Sequence, residues 1–148
     1  MEVKDSYKIL IVTDTHDDIE KVKKIVDKVK DIKFDYVFHC GDVVDVPVCK
    51  NDDDEVTKEY IIKLKNIFGE LEKIGPILWV PGNHEPGIYF TNVEEKVTNN
   101  SENLHKKIKK LSDNLFIVGL GGSVPIMTGK KWKDDIVLFK ELNLNNYP

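Results

Sequence analysis

The stretch that decides the fold is residues 7–16, YKILIVTDTH, in which a short apolar run is followed at once by polar residues. A continuous, β-branched run of this length is typical of a buried strand. Asp17 and Asp18 come next and can cap a helix. The apolar residues after them recur at helical spacing, at Ile19, Val22, Ile25, Val26 and Val29. Residues 7–29 therefore predict a strand followed by an amphipathic helix.

The same alternation continues to residue 80. Residues 35–39 predict a second strand, and residues 77–80 predict a third. Between them, acidic residues 52–55 open a long helix, where the helix dipole favours negative charge. Its predicted buried residues are Val56, Tyr60, Leu64, Ile67, Leu71 and Ile74. The order β-α-β-α-β predicts an α/β fold built on a mostly parallel sheet.

The remaining third of the chain gives weaker signals. Residues 91–103 are polar and predict a loop. Leu104, Ile108 and Leu111 recur at helical spacing and predict a third, shorter helix. Residues 115–118 predict a fourth strand, and residues 136–139 predict another, in a hairpin with residues 123–127. With 148 residues and no recognisable linker, we expect a single domain over residues 1–148.

Composition narrows the classes of partner. The formal net charge is −4, without the basic excess that is typical of nucleic-acid binding. No apolar stretch approaches the roughly 18 residues that a membrane span requires. Two cysteines are too few for a disulfide framework, which favours a cytoplasmic protein.

Polar side chains follow each of the first three predicted strands. Asp14 and His16 follow the first strand, Asp42 follows the second, and Asn83 and His84 follow the third. Ligand sites in open α/β sheets lie outside the carboxyl ends of the strands, so these five side chains are expected to converge.

Carboxylate, amide and imidazole donors together are suited to Mn, Fe or Zn rather than Ca. Two such ions about 3.5–4 Å apart can clamp a phosphate and acidify a water, and a carboxylate can bridge them. A nearby histidine can then protonate the leaving group. The residue types therefore favour phosphoester chemistry.

The three motifs resemble those of the calcineurin-like metallophosphoesterases, in which D-x-H, G-D and G-N-H-[D/E] each follow a strand. The corresponding residues here are 14–16, 41–42 and 82–85. The resemblance implies a two-sheet α/β/β/α sandwich, with the second sheet truncated in this chain, and a site that holds two divalent ions, with Mn favoured. It implies that Asp14 and His16 bind the first metal, that Asp42 bridges both, and that Asn83 binds the second. His84 would be the catalytic acid or charge stabiliser, with Glu85 orienting it.

The resemblance also implies a substrate class. Ser/Thr phosphatases of this superfamily continue G-D-x-x-D with Arg-Gly, whereas here Asp45 is followed by Val46 and Pro47. All 22 basic residues are lysine, so no guanidinium can grip a phosphate through two parallel bonds. The expected substrate is therefore a small phosphodiester or phosphomonoester.

Two later parts of the family pattern, a histidine and then G-H-x-H, have no counterpart here. The chain has four histidines, and the two outside the motifs are His39, expected in the core, and His105, expected on a helix surface. Three interpretations remain open: a C-terminally truncated fragment, which we favour, a short homologue without activity, or a site completed by a second chain. The alternative function is a catalytically inactive scaffold that binds a protein partner, and a weaker one is a single-metal module.

Overall fold

The computed structural model describes residues 6–45 and 55–122, with only the backbone at 56 and 57. Within these ranges the chain forms six strands and three helices. The elements are β1 (Ile9–Val12), α1 (Ile19–Val29), β2 (Tyr36–His39), α2 (Glu55–Leu71), β3 (Ile77–Trp79), α3 (Ile88–Thr91), β4 (Ser101–Asn103), β5 (Lys107–Ser112) and β6 (Leu115–Gly119). The predicted α/β class is confirmed.

The main sheet has four strands in the order β1-β2-β3-β4, and all neighbouring pairs are parallel. The register pairs Val12 with His39, and His39 with Trp79. Because these residues close their strands, the loops after β1, β2 and β3 leave the sheet at one edge. That edge carries the three sequence motifs.

The helices cover one face of this sheet. Helix α1 begins after Asp18, whose carboxylate accepts a hydrogen bond from the Lys21 amide at 2.9 Å, and it buries Val22 and Val26. In helix α2, the ring of Phe68 packs edge-on against Trp79 of β3 at 5.2 Å. Burying such side chains stabilises the fold by roughly 1.5–3 kcal/mol each, which fixes the strand ends against the helices.

The second sheet corrects one prediction. Residues 104–111 do not form a helix, because β5 pairs antiparallel with β6 in a separate two-stranded sheet. The register of this hairpin shifts between Lys110 and Ser112. Such an irregularity moves Leu111 out of strict alternation, so its spacing from Ile108 imitates a helical repeat. The strand predicted at 115–118 exists, but in this second sheet.

The polar segment 91–103 also departs from the prediction of a loop, because it ends in strand β4. The buried side chains of this strand are polar, and their hydrogen bonds are satisfied locally. The Ser101 hydroxyl donates to the Thr98 carbonyl at 3.0 Å, and the Asn103 amide donates to the Tyr89 carbonyl at 2.7 Å. A strand with so few apolar side chains has no hydrophobic pattern to reveal it.

The strands predicted at 123–127 and 136–139 lie outside the described residues, as does most of the acidic run at 52–55. Within the described ranges, no helix has both the length and the apolar character needed to cross a membrane.

Candidate metal centre

The backbone at the strand ends adopts an uncommon conformation. Asp14, His16 and Asp42 all have positive φ, at 53°, 43° and 52°. A residue other than glycine held there costs on the order of 1–3 kcal/mol, although aspartate and histidine tolerate it better than most. The two loops brace each other, since the Asp14 amide donates to the Gly41 carbonyl and the His16 amide to the Asp42 carbonyl, both at 3.1 Å.

The glycines of the second and third motifs allow these loops to touch. Gly41 has φ of 97°, and a Cβ on it would lie 2.6 Å from the Gly82 nitrogen. A Cβ on Gly82 would overlap the backbone nitrogen and carboxylate of Asp42. Only glycine satisfies both the backbone conformation and this close approach.

The Glu85 side chain connects the loop after β2 to the loop after β3 through hydrogen bonds. Its carboxylate accepts backbone N–H bonds from Asp42 at 3.0 Å, from Val43 at 2.6 Å and from Val44 at 3.2 Å, and a further one from Gly82. The side chain is 6% exposed. Burial raises the pKa of Glu85 to about 7, with the N–H donors acting in the opposite direction. The prediction that Glu85 orients His84 is not what these contacts indicate, because they run to backbone amides.

His39 lies beneath the site in the expected core position, 1% exposed. Its Nδ1 accepts the Gly41 N–H at 3.3 Å, so its Nε2 carries the hydrogen and lies 3.1 Å from the Thr15 hydroxyl. Thr15 in turn donates to the Val43 carbonyl at 3.1 Å. This chain of bonds requires a neutral imidazole, and burial accordingly lowers the pKa of His39 to about 4.

We expect the free energy of unfolding to fall as the pH drops from about 6.5 to about 4, by up to roughly 3 kcal/mol from His39 alone. The sign follows because a depressed histidine pKa stabilises the folded state above the unfolded value and loses that stabilisation as protons bind. Urea unfolding at pH 7 and at pH 4.5 measures the loss.

Glu85 acts with the opposite sign, since its raised pKa stabilises the fold at low pH and that contribution disappears as the pH rises through about 7. The His39 contribution is therefore taken as the difference between wild type and His39→Gln at each pH. A difference that does not change with pH would contradict the assignment.

Three atoms that could bind a metal ion lie within 4.8 Å of one another, one each from Asp14, His16 and Asp42. His16 Nε2 lies 3.7 Å from Asp14 Oδ1, which is too long for a hydrogen bond. The other Asp14 oxygen accepts the Thr13 hydroxyl. One Asp42 oxygen accepts the His84 amide at 3.2 Å. The arrangement brings one imidazole nitrogen close to oxygens of two carboxylates.

A second cluster shares His16 with the first. Asp45 Oδ1 lies 2.6 Å from His16 Nδ1 and 3.2 Å from His84 Nδ1. The two imidazole rings meet edge to face at 5.3 Å. The hydrogen bond that His16 Nδ1 donates to Asp45 raises the pKa of His16. Sequence reasoning did not place Asp45 in the site, and its only signal was a position three residues after Asp42 on the same loop.

The remaining histidine does not join either cluster among the described residues. His105 is 3% exposed and follows β4 rather than lying on a helix surface, so that expectation is wrong. Its Nδ1 accepts the Gly121 amide at 2.9 Å. It packs edge-on against Phe90 at 5.1 Å. His105 therefore connects the glycine turn after β6 to the main sheet.

Asn83 is half-buried in the loop after β3, between Gly82 and His84.

The pattern for calcineurin-like phosphoesterases matches residues 7–147. The chain belongs to the calcineurin-like phosphoesterase family. The match spans nearly the whole chain and includes every motif residue described above. A comparison with curated proteins finds no match.

A similar fold is found among solved structures. The crystal structure of TT1561 of Thermus thermophilus is similar to this chain with a TM-score of 0.54 and 18% sequence identity. The match covers 90% of this chain and 56% of that one, so the chain spans little more than half of that protein. At this identity the likeness concerns the fold alone.

Calcineurin-like phosphoesterases are metal-dependent as a family, and the donor set here fits a divalent ion. Asp14, His16 and Asp42 offer two carboxylates and one imidazole, the mixed ligation that suits Mn, Fe or Zn. Nitrogen and oxygen ligands of such ions lie about 2.0–2.2 Å from the metal and therefore up to about 4.4 Å from each other. The 3.7 Å between His16 Nε2 and Asp14 Oδ1 is within that reach. The chemistry of these side chains is therefore compatible with a family metal at this edge of the sheet.

Proposed function

We propose that this chain hydrolyses a phosphoester, a small phosphodiester or phosphomonoester, with divalent metal ions held at the end of the main sheet. The observation that carries the proposal is the convergence of Asp14, His16 and Asp42 donors within 4.8 Å. The membership of the family supports metal-dependent phosphoester hydrolysis in general.

Each residue has a role in this proposal. Asp14 and His16 would hold the first ion, Asp42 would bind both, and Asn83 would bind the second through its amide oxygen. Mn²⁺ is the favoured ion. The ions, when bound, offset the charge of the phosphate and lower the pKa of a water. The loops that carry the ligands are joined by hydrogen bonds from backbone amides to the Gly41 and Asp42 carbonyls and to the Glu85 carboxylate.

His84 is the proposed general acid. Its Nδ1 lies 3.2 Å from Asp45 Oδ1, and this contact orients the ring so that Nε2 points away from the carboxylate. A proton delivered from Nε2 would neutralise the leaving oxygen as the ester bond breaks. His84 is about one-third exposed, which leaves it accessible to a bound ester.

The amino-acid composition bears on how a phosphate would be held. The chain lacks arginine, so the phosphate would be held by metal and histidine rather than by a guanidinium. We infer no nucleic-acid or membrane partner, and the two cysteines favour a reducing cytoplasm.

The test is hydrolysis of a chromogenic phosphodiester and of a chromogenic phosphomonoester by purified protein with Mn²⁺. We expect turnover that depends on the added metal and is removed by a chelator. His84→Gln should lower kcat by roughly 10²–10⁴-fold, the usual contribution of a general acid, while Mn²⁺ affinity is unchanged. An absence of turnover with Mn²⁺, Fe²⁺, Zn²⁺ and Ni²⁺ would refute the proposal for this chain.

A non-catalytic scaffold that binds a protein partner is the second candidate. It is motivated by residues 106–148, in which the later histidine motifs of the family pattern have no counterpart. The exposed apolar side chains Phe116 and Val118 of β6, 49% and 52% exposed, are where a partner would be sought. Elemental analysis separates the two candidates, because two tightly bound ions per chain would exclude the non-catalytic scaffold.

A further inference from the structure

One carboxylate oxygen of Asp45 contacts two imidazole rings. Its Oδ1 lies 2.6 Å from His16 Nδ1 and 3.2 Å from His84 Nδ1. The first distance is the shorter and is that of a strong, charge-assisted hydrogen bond. An ionised carboxylate can only accept, so the hydrogen between them belongs to His16 Nδ1.

The hydrogen on Nδ1 determines what the other ring nitrogen of His16, Nε2, can bind. With the hydrogen on Nδ1, a neutral imidazole has its lone pair on Nε2. Nε2 is the atom that lies 3.7 Å from Asp14 Oδ1. No hydrogen bond spans that distance, so a lone pair and a carboxylate oxygen face each other across a gap that a cation would fill favourably.

We propose that Asp45 is a positioning residue that fixes the Nδ1–H tautomer and the orientation of His16, so that Nε2 is aimed at the metal position beside Asp14 and Asp42. Metal-bound histidines commonly donate their second nitrogen to a carboxylate, and removal of such a partner typically weakens metal binding about 10–100-fold. The proposal rests on the proposed metal site. It assigns Asp45 a role through His16, in addition to its contact with His84.

The competing arrangement would put a metal ion directly among His16, Asp45 and His84, whose donors also lie within 4.8 Å of one another. The 2.6 Å separation argues against it, because two donors bound to one ion at about 2.0–2.2 Å each are normally farther apart than a hydrogen-bonded pair. In that arrangement His84 would be a ligand, which can be tested.

The experiment compares wild type with Asp45→Ala, Asp45→Asn and the exposed control Asp113→Asn. Asp45 and Asp113 are 52% and 81% exposed, so none of these variants should unfold the protein. Imidazole ¹⁵N shifts of the metal-free protein, recorded well above the raised pKa of His16 so that the ring is neutral, report the His16 tautomer. Calorimetric titration reports Mn²⁺ affinity. We expect an Nδ1–H tautomer in wild type, mixed tautomers in Asp45→Ala, and Mn²⁺ binding about 10–100-fold weaker in that variant. Asp45→Asn should restore part of both, because its amide oxygen can still accept.

The proposal is overturned by an Nε2–H tautomer in wild type, by a tautomer unchanged in Asp45→Ala, or by a Mn²⁺ affinity that Asp45→Ala leaves within threefold of wild type. Loss of Mn²⁺ affinity in His84→Gln equal to that in Asp45→Ala would overturn it as well, because the ion would then lie in the competing cluster. If wild type takes up no Mn²⁺, the proposed function fails, while the tautomer comparison still decides whether Asp45 positions His16.

Discussion

Asp42→Asn is expected to lower Mn²⁺-dependent hydrolysis by roughly 10³-fold, because the bridging charge between two ions contributes several kcal/mol to the transition state. The substitution preserves shape, and an asparagine Oδ1 can still accept the His84 amide that Asp42 accepts at 3.2 Å. The loss should therefore be chemical, and unfolding midpoints without metal should match wild type.

The measurement is kcat/KM for a chromogenic phosphoester across a Mn²⁺ titration, so that weaker binding of the ion is separated from slower chemistry. Asp113→Asn, at an exposed pair with Lys110, is the matched control and should change the rate less than twofold. Activity of Asp42→Asn within tenfold of wild type at saturating Mn²⁺ would remove Asp42 from the bridging role.

Glu85→Gln is expected to lower the free energy of unfolding by about 2 kcal/mol at pH 8, although glutamine has nearly the same shape, because the lost N–H acceptors outweigh the removal of a buried charge. Glu85 Oε2 faces the amides of Asp42 and Gly82, and Oε1 faces those of Val43 and Val44. A glutamine amide must turn its NH₂ toward one of these pairs. Two buried N–H donors then lose their acceptor, at about 1–3 kcal/mol each.

Urea unfolding of chelator-treated protein at pH 8, above the raised pKa of Glu85 at about 7, measures this loss with the wild-type carboxylate ionised. Glu20→Gln, on the exposed first turn of α1, is the control and should stay within about 0.5 kcal/mol of wild type. If Glu85→Gln unfolds at the same urea concentration as this control, then Glu85 does not brace the loops as the contacts indicate.

The sequence predicted the first half of the fold well because its signals there are local. Residues 19–29 repeat with helical period, and continuous apolar runs bounded by turn residues mark β1, β2 and β3. The prediction was wrong in the second half, where the pattern of apolar residues does not follow the secondary structure. Ser101–Asn103 is a strand without apolar residues, and the shifted register of β5 gave Ile108 and Leu111 the spacing of a helix.

The candidate site divides in the same way. Asp14, His16, Asp42, Asn83 and His84 were predicted from position alone, because parallel strands deliver their carboxyl ends to one edge. Their role as ligands and acid stays a prediction, but the described geometry brings Asp14, His16 and Asp42 together. Glu85 was assigned to the wrong contact, since its carboxylate bonds to backbone amides up to 43 residues away.

By itself the sequence determined the family, the parallel sheet and the side chains that follow each strand, since all three depend on short stretches of chain. Only the tertiary structure decided how those loops are held: the positive φ of Asp14 and Asp42, the contact between Gly41 and Gly82, and the shared oxygen of Asp45. These depend on atoms that are distant along the chain and meet after folding, and no local pattern encodes a distance between them.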